Sequence, residues 1–298
     1  MDILDHLIEL AQIQGEIHTH CLFQGNWRTL QPSAAQNMGI FHIIVRGECE
    51  VIVNKQKIFL KAGDIFFLPE GDLHYIQSRK FAEITQSTIE KSEIGLFQLA
   101  TNGLEKSDFE MFCGVFYYDK QSILFKILPH ILHLSMYQTP IEQLVELFRF
   151  EAEGKQSAGR SIINSLSSVL FAYILRHYIV KHESEMGLLA ALQDKRLSAV
   201  VREVLQNPEQ NWNMEDLAEM ANMSRANFIR VFQKKMGVAP GKFLTQVRMQ
   251  RASMLLKTTQ KNMLTIALDI GYQSEAYFSR VFKQYYGISP NQYRKQGE

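Results

Sequence analysis

Cysteine and long apolar segments are both scarce in this sequence, and each shortage excludes a class of protein. The 298 residues include three cysteines, Cys21, Cys49 and Cys113, an odd number at wide spacing. That arrangement fits neither a disulfide framework nor a C-x-x-C metal clip, so we expect free thiols in a reducing compartment. The longest apolar stretch, residues 165–180, contains Arg176 and His177 and is too short to cross a bilayer.

A secretion signal is also missing from the first residues. Acidic residues follow Met1 where a leader has basic residues and then an apolar run. We therefore expect a cytoplasmic protein with no membrane partner. With 46% hydrophobic residues, the chain is long enough to form two domains, each with its own core.

Net charge is nearly absent, but the total of +1 conceals an asymmetry. Residues 195–298 carry 16 Lys and Arg against 8 Asp and Glu, a net charge of +8. The chain totals of 32 and 31 leave 16 and 23 for residues 1–194, a net charge of −7. The basic third is suited to nucleic-acid phosphates, although a surplus of this size also occurs on ordinary solvated surfaces.

An internal repeat organises the basic third. Residues 213–243 match residues 262–293, first at an offset of 49 residues and then at an offset of 50. One residue is therefore inserted in the second copy, near Gly271 and Tyr272. The insertion falls between two helical patterns, which indicates that each copy is a pair of helices joined by a turn.

The first copy shows how each helix would begin and end. Asn213 is placed to cap a short helix, and Ser224 is placed to cap a second helix that Gly237 terminates. Phe228 and Phe232 recur at helical spacing and would face the core. Each copy is therefore predicted to be a helix-turn-helix unit.

The opposite face of each second helix is suited to the major groove of DNA. Arg230 and Arg280 are natural partners for guanine or phosphate, and Ile229 for a thymine methyl group. The DNA-contacting residues predicted from this face are Arg225, Ala226, Ile229, Arg230 and Lys234 in the first copy and Glu275, Ala276, Ser279, Arg280 and Lys283 in the second. The alternative is a duplicated helical hairpin with a solvated face, and an exposed Ile229 argues against it.

Residues 242–257 predict a long helix between the two copies. At 1.5 Å per residue that helix would be roughly 24 Å long. It would hold two recognition helices for successive major-groove faces, which lie about 34 Å apart. We therefore expect double-stranded promoter DNA as the partner.

The repeat resembles the DNA-binding domain of the AraC/XylS family of bacterial transcription regulators. The resemblance rests on MSRANFIRVF at 223–232, IALDIGYQSEAYFSRVF at 266–282 and YGISPNQYR at 286–294. It implies that Tyr277 also contacts bases. It further implies RNA polymerase as a partner if the protein is an activator.

Residues 14–100 show short β-like runs with turn signals between them, which predict an antiparallel sandwich or barrel. The segment GDIFFLPEGDLH at 63–74 has the spacing of the second cupin motif. The first cupin motif is not kept, because Ile40 stands where its acidic ligand belongs and no H-x-H pair precedes it within reach. A metal-dependent dioxygenase would therefore lack its ligands.

The predicted fold class is α+β, in three parts. Residues 1–125 form a cupin-like antiparallel barrel that senses an effector, residues 126–194 a helical linker that packs on the barrel or pairs with a second subunit, and residues 195–298 an all-α domain with two helix-turn-helix units. A homodimer is expected, since such helices often dimerise in the family that the chain resembles. The predicted binding residues for a small, hydrophobic effector are Trp27, Phe41, His42, Phe67 and His74.

Cys21 presents a second way of sensing. The chain resembles a subgroup of the family that includes an activator of a multidrug efflux pump and a regulator of the reactive-chlorine response, through segments that include CLFQGNW at 21–27 and CGVFYYD at 113–119. We expect Cys21 to lie in a turn-rich segment, where nearby imidazoles would lower its pKa or form a soft-metal site with His42. Cys113 would assist, and a small buried hydrophobic role for Cys21 is the alternative.

Three functions are open from the sequence alone. The leading prediction is a transcription regulator gated by a ligand or by oxidation, most readily an activator of an efflux or stress operon. A cupin enzyme with an attached DNA-binding domain is a second, and a ligand-free architectural DNA-binding protein is a third. The missing ligand position at Ile40 argues against the enzyme, so we expect no catalytic residues.

Overall fold

The computed structural model describes residues 3–35, 37–79, 88–103, 106–119, 121–136, 139–152, 157–181 and 186–296. The chain packs into two units. One contains residues 13–120 and 128–178, and the other contains residues 1–12, 121–127 and 179–298. This grouping follows packing and does not coincide with the predicted divisions after residues 125 and 194.

The first unit is built on two sheets. Their strands are β1 Gln14–Phe23, β2 Arg28–Gln31, β3 Met38–Arg46, β4 Glu48–Val53, β5 Gln56–Lys61, β6 Asp64–Leu68, β7 His74–Ser78, β8 Glu90–Ile94, β9 Phe97–Thr101, β10 Phe109–Tyr117 and β11 Leu132–Ser135. The larger sheet has the order β11-β6-β3-β10-β1-β9-β8, and the smaller has the order β2-β7-β4-β5. Neighbouring strands are antiparallel except for β1 and β9, so the cupin-like barrel predicted for this part is confirmed.

Burial along the strands shows which face lies inside the barrel. In β1 the buried positions alternate and include Cys21 and Phe23, which belong to the core between the two sheets. Strand β3 is buried on both faces from Gly39 to Ile44, because its outer face is covered as well. The larger sheet is therefore the middle layer of this unit.

Helices α2 Ile141–Ala152 and α3 Gly159–Lys181 cover that outer face. Phe171 of α3 packs edge-on against Phe67 and Phe116, with ring centroids 6.3 and 5.1 Å apart. Strand β11 precedes these helices and pairs with β6, although the sequence pattern of residues 126–194 was helical. The strand forms because it completes the sheet edge, which is a tertiary effect that local periodicity does not report.

The apolar stretch at residues 165–180, expected to be too short to cross a bilayer, lies within the longer helix α3. By length and composition alone, α3 is long and apolar enough to span a membrane, and it is the one such helix in the part of the chain that the structure describes. Its buried residues include Leu170, Phe171 and Ile174. Packing of these residues against the sheet explains the apolar residues on one side of the helix, whereas Ile162 and Val169 on another side are exposed.

The second unit is helical. Its helices are α1 Ile3–Ala11, α4 Leu188–Gln193, α5 Ser198–Gln206, α6 Met214–Met220, α7 Arg225–Met236, α8 Pro240–Thr258, α9 Met263–Asp269, α10 Glu275–Tyr286 and α11 Pro290–Lys295. Helix α8 is the predicted connecting helix, and its 19 residues correspond to roughly 28 Å. It begins with Pro240 as its first residue, where the missing N–H costs nothing.

The N-terminal helix and residues 121–127 pack into this helical unit. His6 donates its Nε2–H to the carbonyl of Leu205 over 2.6 Å. The side-chain amide of Gln250, buried in α8, donates to the carbonyl of Gln121 over 2.9 Å. These contacts join segments far apart in sequence, which is why the sequence pattern did not place them together.

Candidate nucleic-acid interface and thiol–imidazole cluster

The two helix-turn-helix units are α6–α7 and α9–α10, and each helix start is capped as predicted. The side chains of Asn213 and Ser224 accept the backbone N–H groups of residues 216 and 227. Asn262 and Ser274 do the same in the second unit. These local bonds satisfy N–H groups that a helix leaves unpaired, so sequence alone could predict them.

The turns of the two units contain the same backbone hydrogen bond. They differ in length by one residue, which directly precedes the N-cap of α10. Asn222 and Gly271 both adopt positive φ, at 53° and 85°. The next backbone N–H in each turn, that of Met223 or Tyr272, donates to the carbonyl of the equivalent alanine, over 2.9 and 2.8 Å. The inserted residue is therefore Gln273, an exposed residue at the entrance to the second recognition helix.

The recognition helices α7 and α10 bury one face and expose the other. Phe228 and Phe232 are fully buried in α7, as are Phe278 and Phe282 in α10. The predicted DNA-contacting residues on the exposed face are Arg225, Ala226, Arg230, Lys234, Glu275, Ala276, Tyr277, Arg280 and Lys283. Both helices end at a glycine in the left-handed conformation, with φ of 74° and 81°.

Ile229 and the equivalent Ser279 are half-buried rather than exposed. The prediction that Ile229 is exposed, which argued for the major groove of DNA over a solvated hairpin, is therefore wrong. Both residues directly follow a buried phenylalanine, so the helix turns them toward the side of the exposed face. Both side chains are still partly exposed toward DNA bound on that face. The apolar side chain of Ile229 is explained in part by its burial.

The charged side chains on the exposed face differ in the hydrogen bonds and ion pairs that they make within the protein. Arg230 donates to the side-chain oxygen of Asn227 over 2.8 Å, and Arg225 lies 3.3 Å from a carboxylate oxygen of Glu215. Arg280 and Lys283 make no ion pair with any residue that the structure describes. Solvent screening makes such surface pairs weak, so all four are available to phosphate or base edges.

Four buried side chains inside the barrel form a thiol–imidazole cluster, which we define as Cys21, Cys113, His42 and His74. The two sulfurs lie 3.8 Å apart, Cys113 Sγ lies 3.1 Å from His42 Nδ1, and His42 Nε2 lies 2.8 Å from His74 Nε2. Strands β1, β10 and β3 supply the first three, and β7 of the smaller sheet supplies His74. The cluster therefore links the two sheets through the barrel interior.

The hydrogen-bond directions in the cluster follow from the partner of His74. The backbone oxygen of Asp72 can only accept, so His74 donates its Nδ1–H to it over 2.7 Å. In a neutral His74, Nε2 then accepts the Nε2–H of His42, and His42 Nδ1 accepts the thiol proton of Cys113. His42 Nδ1 is thus the hydrogen-bond acceptor of the Cys113 thiol.

The surroundings hold the cluster in its uncharged form. Burial and the neighbouring His74 lower the pKa of His42 well below its usual range, and burial lowers the pKa of His74. The hydrogen bond with Cys21, together with burial, raises the pKa of the Cys113 thiol. The Cys113 thiol therefore keeps its proton at neutral pH in this arrangement.

Cys21 does not lie in a turn, as the sequence indicated. It is buried within strand β1, with 1% of its surface exposed, and Cys113 lies between it and His42. In the described ranges, no group of three or more His, Cys, Asp or Glu side chains is arranged to hold a metal ion. The soft-metal site predicted at Cys21 and His42 gains no support from this geometry.

The predicted effector residues separate onto two faces of the larger sheet. Trp27 packs inside the barrel, with its ring centroid 4.6 Å from that of Phe109. Phe41 and Phe67 instead face outward and contact Phe116. The five therefore do not line one site: Trp27, His42 and His74 belong to the interior, whereas Phe41 and Phe67 belong to the layer under α3.

A pair of helix-turn-helix units and a β-barrel in one chain define a DNA-binding regulator with an additional barrel domain. The family model described as a helix-turn-helix domain matches residues 217–296, and the model described as cupin matches residues 2–180. The chain belongs to the AraC-type helix-turn-helix transcription regulators that carry a cupin domain.

Relatives match the chain over almost its full length. An uncharacterized HTH-type transcriptional regulator of Haemophilus influenzae is 48% identical and covers 99% of both chains. The HTH-type transcriptional regulator MtrA of Neisseria gonorrhoeae is 34% identical over 100% of this chain and 99% of its own. The RCS-specific activator RclR of Escherichia coli is 23% identical over 99% and 98%. These relatives are named as regulators rather than enzymes.

Proposed function

We propose that the protein activates transcription by binding an asymmetric promoter site with α7 and α10, under the control of a small molecule bound by its cupin domain. The observation that carries the proposal is the exposed basic stripe repeated on two capped recognition helices joined by α8. Direct base reading requires such a stripe, since base edges are reached only by side chains that the core leaves exposed. A regulator that binds promoter DNA would act in the cytoplasm.

Selection from a random pool of duplex DNA by the full-length protein tests this proposal. We expect enrichment of two unlike sequence blocks about 10 base pairs apart, because the stripes of α7 and α10 differ. A purely architectural protein would instead retain DNA without sequence enrichment. That result would refute the sequence-specific regulator.

Helix α3 supports a homodimer as the active form. Ile162, Leu166, Val169 and Tyr173 recur at alternating spacings of four and three residues, as in the seam of a coiled coil. Ile162 and Val169 are 39% and 44% exposed, while Leu170 and Phe171 on the other side of the helix are buried. The helix thus packs on the sheet with one stripe and presents a second stripe for another subunit.

RNA polymerase would be the further partner of an activator.

A thiol response is the second candidate, favoured by the 3.8 Å separation of Cys21 and Cys113. A hypohalous acid or a peroxide would take two electrons from the thiols, a sulfur–sulfur bond of about 2 Å would form, and the two thiol protons would leave with the products of the reduced oxidant. The oxidant would be reduced in the same step.

Cys21→Ser is expected to abolish any change in promoter binding caused by hypochlorite, because Cys113 loses its disulfide partner. Cys49→Ser is the matched control, since Cys49 is an equally buried barrel thiol outside the cluster. Gel-shift titrations before and after oxidation measure the effect. A hypochlorite response that persists unchanged in Cys21→Ser would rule out this mode of sensing.

A further inference from the structure

A groove of about 500 Å³ lies outside the barrel, between the outer face of the larger sheet and helix α2. Its floor is apolar and comes from both layers, with Ile43, Ile65 and Met136 on the sheet side and Ile141 and Val145 on the helix side. Ile43 and Ile65 are a directly paired cross-strand couple of β3 and β6. The volume and lining are typical of pockets for drug-sized molecules.

The rim of the groove is acidic. Glu142, Glu146 and Arg149 of α2 line its helix side, and both glutamates are exposed. Arg149 donates to Glu146 over 2.7 Å and, through two further N–H groups, to both carboxylate oxygens of Glu110 over 3.0 and 2.7 Å. One guanidinium therefore binds two carboxylates, and Arg46 also lies 3.8 Å from Glu110, so the three glutamates here exceed the two arginines by one charge.

Glu110 keeps its charge beside the groove. Burial alone would raise the pKa of Glu110, but hydrogen bonds from His20 and Arg149 lower it to about 2. Arg149 is consequently committed to an ionised partner at neutral pH. The carboxylates of Glu142 and Glu146 are then the exposed anionic groups at the helix side of the groove.

We infer that this groove binds an amphiphilic organic cation, with its apolar body on the isoleucine and valine floor and its positive centre beside Glu142 and Glu146. The inference rests on the proposed function, because it names the class of effector that the cupin domain recognises. It places that effector outside the barrel rather than among the buried aromatic and imidazole side chains inside. An anion of the same shape meets like charge at the rim and is rejected.

Two ions of nearly identical shape and opposite charge test this directly. Isothermal titration calorimetry on the full-length protein, without DNA, compares tetraphenylphosphonium with tetraphenylborate. We expect the cation to bind at least tenfold more tightly than the anion. Added salt should narrow this difference, because it screens the exposed carboxylates.

The double variant Glu142→Gln, Glu146→Gln locates the binding site. It should weaken tetraphenylphosphonium at least tenfold, whereas Glu90→Gln, Glu93→Gln, which removes the same charge from exposed positions on β8, should leave the affinity unchanged. Equal affinities for the two ions, or an unchanged cation affinity in the groove variant, would overturn the inference.

Promoter binding is measured separately on the same proteins, so that the cation-binding groove and the sequence-specific regulator can each be rejected without the other. Specific DNA binding without cation binding would reject the groove and leave the proposed regulator standing. Cation binding without sequence-specific DNA binding would reject the regulator.

Discussion

Arg230→Ala and Arg280→Ala should each weaken specific promoter binding by about 1–3 kcal/mol, or roughly 5- to 150-fold. Both side chains stand on the exposed stripe of a recognition helix, at equivalent places in the two units. Each substitution should relax the sequence preference in its own block of the DNA site, because the exposed side chains next to Arg230 on α7 differ from those next to Arg280 on α10. Repeating the duplex selection with each variant measures which block is lost.

Lys195→Ala is the matched control for this pair. Lys195 is an exposed cation in a turn before α5, outside both helix-turn-helix units. Its removal should lower affinity for all sequences slightly and equally, through the general phosphate attraction. If both arginine variants bound and selected DNA like the wild type, the groove assignment of α7 and α10 would be rejected.

Gly271→Val should destabilise the helical unit by about 3 kcal/mol. Gly271 has φ of 85°, which a β-branched residue adopts only with strain. A Cβ there would also stand 2.6 Å from the carbonyl oxygen of Glu209 and 2.7 Å from a guanidinium nitrogen of Arg248. That arginine holds the neighbouring loop by donating to the carbonyls of Pro208 and Gln210, each over 2.8 Å. The backbone strain at residue 271 and the displacement of the loop both lower the free energy of unfolding of the helical unit.

Urea unfolding followed by tryptophan fluorescence measures this effect. The two tryptophans, Trp27 and Trp212, lie in different units, so a Trp27→Phe background isolates the helical unit. Gly241→Ala is the control, because a Cβ at Gly241 of α8 meets open space and alanine favours a helix. It should raise stability by about 0.5 kcal/mol. Loss of stability in Gly241→Ala as large as in Gly271→Val would contradict the role given to the turn.

The helix-turn-helix units could be predicted in detail because the interactions that define them are local. A cap joins residues three apart, as at Ser224 and the N–H of residue 227, and the phenylalanines recur with the helical period. A shift in the repeat offset also located the inserted residue to within two positions. The β-strands were recognisable from apolar runs bounded by turn residues, which is again information carried by near neighbours.

The sequence by itself determined that two recognition helices stand on one rigid connector and that a cupin-like barrel precedes them. Tertiary structure alone decided that Cys21, Cys113, His42 and His74 meet. Pairing of β1, β10 and β3 brings together residues 92 and 71 positions apart, and packing of the two sheets brings His42 to His74, 32 positions away. It also decided that Ile229 is half-buried and that an acid-rimmed groove opens under α2. Periodicity shows which side chains leave the solvent, whereas only the packing of distant elements shows which of them come into contact.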